Sequence, residues 1–242
     1  MRIDFIGVGF GRSGSKWLAN CLYEHPEISI PKFNLHTEIN YFPEEYEIMG
    51  LKNYMKKFIN CDFEKKVGEL STLIIWDKKS AKLLKKLFPN VKIIIYRRKE
   101  GERAKSAYNV AKYYDLVDDN SLSTNEIKEI KQEDYIKPFV KEFSKNNVFI
   151  FNMDNSDKQG ELNKLFKFLG VSYFTPKNMN ERLNTSYSNK TGKKEPIKSK
   201  YPIIRKIINK VKPKLKANKK LYYTLKRNFH LDYLFQLLNH NL

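Results

Sequence analysis

The stretch that decides the fold is Asp4-Phe5-Ile6-Gly7-Val8-Gly9-Phe10-Gly11-Arg12-Ser13-Gly14-Ser15-Lys16-Trp17-Leu18. Its first residues form an apolar run that predicts a buried strand, and its last residues begin an apolar pattern with helical spacing. The glycine turn between them lets the backbone approach a ligand closely, and the first N–H groups of the helix have no partner inside the helix. Because the helix dipole also favours negative charge at this end, the stretch predicts an anion site.

Two general phosphate motifs match this turn only in part. The run from Gly9 to Gly14 fits the dinucleotide pattern G-x-G-x-x-G, but a charged Arg-Ser pair between the glycines is unusual for that pattern. The same run has the glycine spacing of a P-loop. A P-loop continues with Gly-Lys-Ser/Thr, however, whereas this chain continues with Gly14-Ser15-Lys16.

A third pattern fits the turn better. Gly-Arg-Ser-Gly-Ser-Lys-Trp-Leu resembles the 5′-phosphosulfate loop of sulfotransferases, usually Lys/Arg-Ser-Gly-Thr-Thr-x-x-Leu. These enzymes use 3′-phosphoadenosine-5′-phosphosulfate (PAPS) as donor and release 3′-phosphoadenosine-5′-phosphate (PAP). The resemblance implies that the donor is held by Arg12, Ser13, Gly14, Ser15 and Lys16. Arg12 and Lys16 would also stabilise charge on the leaving phosphate.

The residue after this loop has two interpretations. In some sulfotransferases an aromatic at the position of Trp17 lies against adenine, and packing in the core is the alternative. Arg12 stands where most members have Lys, and Lys16 replaces a threonine, so the sequence departs from the usual pattern at both positions.

Strand and helix patterns alternate along the chain, which predicts a doubly wound parallel sheet. Strands are predicted at 2–8, 27–31, 67–71, 91–96 and 147–152, and helices at 15–24, 51–59, 79–88, 102–114, 125–131, 134–143 and 162–169. Together with the resemblance, this gives an α/β three-layer sandwich with a central parallel sheet and the P-loop-like sulfotransferase fold. We expect a sulfotransferase domain over 1–180 and a basic, mostly helical C-terminal extension over 181–242.

The β-branched run 91–96 predicts a strand buried on both faces, and arginines stand at its carboxyl end. The following residues, Arg98-Lys99-Glu100-Gly101-Glu102-Arg103-Ala104-Lys105-Ser106, resemble the 3′-phosphate motif Arg-x-x-x-x-Arg-Ala-x-Ser of sulfotransferases. The resemblance implies that Arg98 and Ser106 bind the 3′-phosphate, while Arg103 pairs with an acid or caps a carbonyl. Taken alone, the arginine pair would be a solvated charge pair at a strand end.

A third segment contains candidates for a catalytic general base. Thr37-Glu38-Ile39-Asn40-Tyr41-Phe42 resembles the Lys/Glu-Glu-x-x-Phe-Phe segment of heparan-type carbohydrate sulfotransferases, and 68–71 also resembles that group. The resemblance implies that Glu38 is the general base that takes the proton of the acceptor hydroxyl. His36 is the alternative base, and an ordinary acid at a helix start is the alternative role for Glu38.

Composition limits the remaining choices. The chain has 242 residues, 41% of them hydrophobic, and only two cysteines, which give no disulfide framework. It has no signal-peptide pattern and no apolar stretch of membrane-spanning length, so we expect a cytoplasmic protein. No cluster of His, Cys and Asp has the spacing of metal ligands, and we expect no metal.

Positive charge is concentrated in one segment. Residues 190–227 contain fifteen Lys and Arg side chains and a single acid, Glu195, and so carry +14 of the formal net charge of +19. This basic segment predicts an anionic partner such as a polyanion or a membrane surface, whereas a general lysine bias is the alternative. No nucleic-acid module is recognisable. Segments 183–186 and 190–193 resemble a late nucleotide loop of sulfotransferases, and a disordered basic connector is the alternative.

The motifs together predict a PAPS-dependent sulfotransferase that acts on a hydroxyl of a carbohydrate or glycolipid. A P-loop-like nucleotide kinase is the first alternative, and it would need a Mg²⁺ ligand, for which Asp154 is the candidate. A non-catalytic polyanion- or membrane-binding protein on the same fold is the second alternative.

Overall fold

Five parallel strands form a single sheet in the order β2-β3-β1-β4-β5. The strands are β1 Phe5–Val8, β2 Ile28–Ser29, β3 Lys66–Ser71, β4 Lys92–Arg97 and β5 Val148–Asn152. The helices are α1 Ser15–Glu24, α2 Glu44–Met55, α3 Ser80–Leu87, α4 Glu100–Tyr113, α5 Glu133–Phe143 and α6 Lys158–Leu169. The computed structural model describes residues 2–31, 38–113, 130–177 and 179.

Helices cover both faces of the sheet, which makes three layers. On one face, strand residues such as Ile6 and Ile93 pack with side chains of α2, α3 and α5, among them Tyr54, Leu84 and Phe139. The opposite face packs on α1 and α6, and its buried residues include Phe5, Leu18, Leu22, Ile94, Leu165 and Phe166. Burial on both faces explains why β4 is a continuous apolar run, with residues 93–96 all fully buried. The predicted α/β sandwich is confirmed.

Tyr96 links three neighbouring strands at the carboxyl end of the sheet. Its hydroxyl reaches from β4 across β1 and donates to the carbonyl of Ser71 at the end of β3, at 2.6 Å. A Cβ on Gly9 would lie about 2.1 Å from the Tyr96 ring, so only glycine fits beneath the ring. The N–H groups of Gly9 and Phe10 are bound by the Ser71 and Tyr96 carbonyls, at 3.2 Å each. The start of the glycine turn is therefore fixed to both adjacent strands.

Most predicted elements are present, and two helices begin a full turn or more before the predicted start. The helix predicted at 51–59 is α2, which begins at Glu44, bends at Gly50 with φ of 70°, and continues into a 3₁₀ turn at Lys56–Phe58. Its first turn contains three acidic residues, Glu44, Glu45 and Glu47, whose negative charges interact favourably with the helix dipole and stabilise this start. The last helix begins at Lys158 rather than 162, because Asp157 caps it by accepting from the N–H of Gly160.

Several predictions fall outside the described residues. They are the base candidate His36, residues 125–129 of a predicted helix, the late loop 183–193 and the whole C-terminal extension with its basic segment 190–227. Ile130 and Lys131, at the end of that predicted helix, are not helical. Within the described ranges, no helix combines the length and hydropathy needed to cross a bilayer.

Candidate active site

The glycine turn forms an open helix start at the carboxyl edge of the sheet. Gly14 is the N-cap residue of α1 with φ of 80°, no side chain caps the helix, and its first turn contains no acid. A Cβ on Gly14 would also lie 2.6–2.8 Å from side-chain atoms of Met153. The N–H groups at the start of α1 are therefore available to an anion, and the local field favours one.

Ser13, just before this helix, supports the same conclusion. The residue is fully buried, and its hydroxyl has no hydrogen-bond partner among the described residues. A buried polar atom without a partner costs free energy, and such atoms in native proteins are commonly matched by a ligand or water. The orphaned hydroxyl and the open helix start together fit a phosphate or sulfate group.

Arg12 connects the glycine turn to α4. Its backbone has φ of 68°, a left-handed conformation that a residue with a side chain adopts only at a cost. Its Nε donates to Ser106 Oγ at 3.1 Å. The sequence placed Arg12 at the 5′ end of the donor and Ser106 at its 3′-phosphate, and the structure brings these two side chains into direct contact.

Glu38 lies beside the same loop. It forms a parallel bridge with Leu70 of β3. The bridge lies on the same edge of β3 as β2, which pairs with the earlier residues 66–67. Ser15 Oγ donates to Glu38 Oε1 at 2.7 Å. On the other carboxylate oxygen, Oε2, Thr72 Oγ1 donates at 2.5 Å and Asn40 Nδ2 at 3.2 Å. The candidate base is thus oriented by three side-chain donors, one of which is the first residue of α1.

Asn40 organises the segment that carries Glu38. Its Oδ1 accepts from the backbone N–H groups of Thr72 and Leu73, at 2.9 and 3.0 Å, while its own N–H donates to Ser71 Oγ at 2.8 Å. Its φ is 47°, in the left-handed region that asparagine tolerates better than most residues. Asn40 therefore fixes its segment to the end of β3 through backbone, amide and hydroxyl contacts.

A second carboxyl group lies behind this cluster. Glu69 on β3 is 1% exposed, accepts from Ser71 Oγ at 2.7 Å and is 3.4 Å from the Tyr54 hydroxyl. Burial raises the pKa of Glu69 to about 7, against the hydrogen bonds from Ser71 and Tyr54, which lower it. The nearby Glu38 charge contributes to this rise in the pKa of Glu69, and the Lys57 charge opposes it.

The second predicted phosphate site lies at the end of β4. Arg98 Nη2 lies 3.2 Å from Glu102, and its Nε lies 3.8 Å from Asp154. Asp154 Oδ2 also accepts from the Lys99 N–H. Arg103 pairs with Glu100, with Nε 2.8 Å from Oε2, as expected of an arginine paired with an acid. Arg98 is one-third exposed, so its guanidinium can reach solvent and a ligand.

Lys16 and Trp17 point to different environments. Lys16 is exposed on the first turn of α1. Trp17 is 8% exposed in the core between α1 and α6, and its Nε1 donates to the Met179 carbonyl at 2.9 Å. Trp17 thus packs in the core, which was the alternative to a contact with adenine. The roles of both residues towards a donor stay predictions.

The sequence reasoning missed four residues of this site as functional candidates: Asn40, Glu69, Ser71 and Thr72. Glu69 and Ser71 were readable as a signal, because polar side chains alternate with apolar ones at the carboxyl end of a buried strand, and Thr72 directly follows that strand. Among the described residues, no group of three or more His, Cys, Asp and Glu is arranged to hold a metal ion. Asp154, the candidate Mg²⁺ ligand of a kinase, instead contacts Arg98 and Lys99.

Several solved structures similar to this chain are sulfotransferases. A sulfotransferase from Alicyclobacillus acidocaldarius matches with a TM-score of 0.58 and 22% identity over 93% of this chain and 96% of its own. The sulfotransferase domain of the curacin biosynthetic pathway matches with a TM-score of 0.53 and 17% identity, over 73% of this chain and 77% of that domain. The corresponding domain of the Synechococcus PCC 7002 olefin synthase gives 0.50 and 14%, over 72% and 76%.

These matches define the class of fold. The chain has the sulfotransferase fold, as the sequence motifs predicted. No protein-family model matches the sequence, and no curated protein is significantly similar to it.

Proposed function

We propose that this chain is a PAPS-dependent sulfotransferase that moves a sulfuryl group to an acceptor hydroxyl. The single observation that carries the proposal is the hydrogen bond from Ser15 to Glu38, 2.7 Å long. It joins an open helix start, which suits an anion, to a carboxylate, which suits proton removal. A transfer from a bound phosphosulfate to a hydroxyl needs both groups side by side.

The donor would lie along the carboxyl edge of the sheet. The start of α1, with Ser13 and Ser15, would hold the phosphosulfate, and Arg12 would stabilise the charge that develops on the bridging oxygen. Arg98 and Ser106 would hold the 3′-phosphate, since a guanidinium fork and a hydroxyl match phosphate oxygens. PAPS would supply the activated sulfuryl group and leave as PAP.

The hydrogen bonds of Glu38 indicate which oxygen takes the proton. A carboxylate offers about four acceptor positions. Among the described residues, two donors occupy Oε2 and one occupies Oε1. Oε1 therefore keeps room for the acceptor hydroxyl, and it is the oxygen that faces Ser15 and the glycine turn. The hydroxyl would give its proton to Oε1 while its oxygen attacks sulfur.

For the acceptor we propose a hydroxyl of a carbohydrate or glycolipid. The resemblance of the Glu38 segment to that of heparan-type carbohydrate sulfotransferases supports this class. Next to it, Leu73 and Trp76 are 51% and 36% exposed, and the Trp76 ring is held edge-on by Phe10 and Tyr135. Such rigid apolar surface suits the hydrophobic face of a sugar ring or an alkyl chain. Since two structural neighbours come from a curacin pathway and an olefin synthase, the fold alone does not select a sugar.

Transfer from radiolabelled PAPS tests the reaction directly. We expect the wild-type protein to label octyl glucoside or another member of a panel of sugar and lipid alcohols. Replacement Glu38→Gln should reduce labelling by about a hundredfold or more, because the general base is lost. The matched control is Glu47→Gln, which removes an exposed carboxylate of α2 and should leave the rate unchanged. Equal rates for Glu38→Gln and wild type would refute Glu38 as the base.

A further inference from the structure

Glu69 is a buried carboxyl group that the proposed reaction does not use directly. It stands on β3, two residues before Ser71 and three before Thr72. Burying a carboxyl group is costly unless it is hydrogen-bonded, and Glu69 receives hydrogen bonds from Ser71 and Tyr54. Its position next to the residues that contact Glu38 indicates a reason for burying a carboxyl group here.

A continuous chain of hydrogen bonds leads from Glu69 to the candidate base. Ser71 Oγ donates to Glu69 Oε2, and this fixes the direction in which the hydroxyl presents its lone pairs. Those lone pairs accept the N–H of Asn40. Asn40 in turn donates through Nδ2 to Glu38 Oε2. Each link is 2.7–3.2 Å long.

The link through Asn40 matters because this residue is in a strained conformation. With φ of 47°, the Asn40 backbone is left-handed, a conformation that asparagine tolerates better than most residues but that is still less favourable than a right-handed one. Surrounding contacts must compensate for that cost. The Ser71 hydroxyl is the contact that holds the Asn40 N–H, and it is itself fully buried and held by Glu69.

We propose that Glu69 is a positioning residue for Glu38, acting through the Ser71 hydroxyl and the Asn40 backbone. This inference rests on the proposed role of Glu38 as the base. It assigns to Glu69 no contact with the donor or the acceptor.

The surroundings of Glu69 suit a carboxyl group that changes protonation near neutral pH. Tyr54 faces it from α2, Lys57 contributes positive charge from the 3₁₀ turn, and Glu38 and the Tyr96 hydroxyl lie on the strand side. Lys57 pairs with Glu45 at 3.5 Å, which weakens its effect on Glu69. We therefore expect the positioning to be strongest above about pH 7, where the ionised carboxylate accepts most strongly from Ser71.

The first test needs no ligand. Amide hydrogen exchange of Asn40 is measured in the free protein for wild type, Ser71→Ala and Glu69→Leu, the last of which removes the acceptor but keeps an apolar volume. We expect exchange at Asn40 to accelerate about fivefold to tenfold in both variants, as the loss of one hydrogen bond allows. Glu69→Gln keeps an acceptor oxygen and should restore most of the protection. Ser80→Ala is the control, because Ser80 is buried and its hydroxyl has no partner among the described residues.

The second test separates positioning from general stability. PAP release from PAPS is measured with octyl glucoside, beside the affinity for PAP. We expect Glu69→Leu to lower kcat about tenfold with an unchanged Kd for PAP. The double variant Ser71→Ala/Glu69→Leu should have a kcat no lower than that of Ser71→Ala alone, because both changes break the same chain of hydrogen bonds. Unchanged Asn40 exchange in both single variants, or multiplying effects in the double variant, would overturn the proposal. Failure of the wild type to bind PAP would refute the proposed function while the exchange experiment still decides the role of Glu69.

Discussion

The Ser15 hydroxyl on the first turn of α1 donates to Glu38 Oε1 at 2.7 Å, across 23 positions of sequence. It places a carboxylate directly beside a helix start that favours anions. An anion bound at this helix start would lie beside the Glu38 carboxylate, so the donor contacts would have to offset the repulsion between the two. The proposed transfer of a sulfuryl group to a hydroxyl rests on this hydrogen bond.

The first prediction concerns the geometry of the glycine turn. Gly14→Ala should destabilise the protein by about 1–2 kcal/mol, because φ of 80° is strained for alanine, and the added Cβ would also press on Met153. Gly11→Ala is the matched control, since a Cβ there has no atom within 4 Å. Urea denaturation measures both. Equal stability of the two variants would contradict the described conformation of the turn.

The second prediction concerns Thr72. Its hydroxyl donates to Glu38 Oε2 at 2.5 Å, so Thr72→Val removes one of the donors that orient the base while keeping the shape of the side chain. We expect kcat to fall about tenfold, with unchanged PAP affinity, as loss of one hydrogen bond to a charged group allows. Thr72→Ser keeps the hydroxyl and should stay close to wild type. A valine variant as active as wild type would show that this contact does not matter for the reaction.

The third prediction is a pH dependence of stability. The pKa of Glu69 rises from 4.5 to about 7 on folding, so its contribution to stability is fully present below pH 4.5 and is lost as the pH rises through 7. A shift of this size corresponds to about 3 kcal/mol. The free energy of unfolding of wild type, measured relative to Glu69→Gln, should therefore decline between pH 4.5 and pH 7–8. A difference that is constant across this range would mean that Glu69 titrates normally.

The sequence predicted the sheet and most helices because the signals were local. The residue types in the apolar run 93–96 and in the glycine turn are enough to predict a strand and a turn. The 3.6-residue spacing of apolar residues predicts α1 and α3. It missed the start of α2 because that helix bends at Gly50, where φ is 70°, and the apolar pattern before the bend is weak. Acidic residues at 44–47 were the available signal.

The site was predictable residue by residue only where a motif existed. Arg12, Glu38 and Ser106 could be proposed from motifs, but the contacts of Arg12 with Ser106 and of Ser15 with Glu38 join residues 94 and 23 positions apart. No periodicity encodes such pairs. Asn40 is the clearest omission, since its importance comes from a left-handed backbone and its contacts to residues 71–73, which only the folded chain shows.

The fourth prediction concerns the domain boundary. We propose that residues 1–180 bind the donor and that the basic segment 190–227 binds a polyanion or an anionic membrane. A chain ending at Asn180 should then bind PAP with unchanged affinity and lose retention on heparin at moderate salt, because the excess of positive charge is removed. Loss of PAP binding by the folded shorter chain would place part of the donor site beyond residue 180.

The most direct test of the account is a calorimetric titration with PAP. Wild type should bind PAP, and Arg98→Ala and Arg12→Ala should each weaken binding about tenfold or more, since each removes charge-assisted hydrogen bonds to phosphate. Arg97→Ala is the control: this arginine stands beside Arg98 but pairs with Glu133. ATP with magnesium should bind far more weakly than PAP. A folded wild type that does not bind PAP, or that prefers ATP with magnesium, would contradict the assignment of this site to a sulfuryl donor.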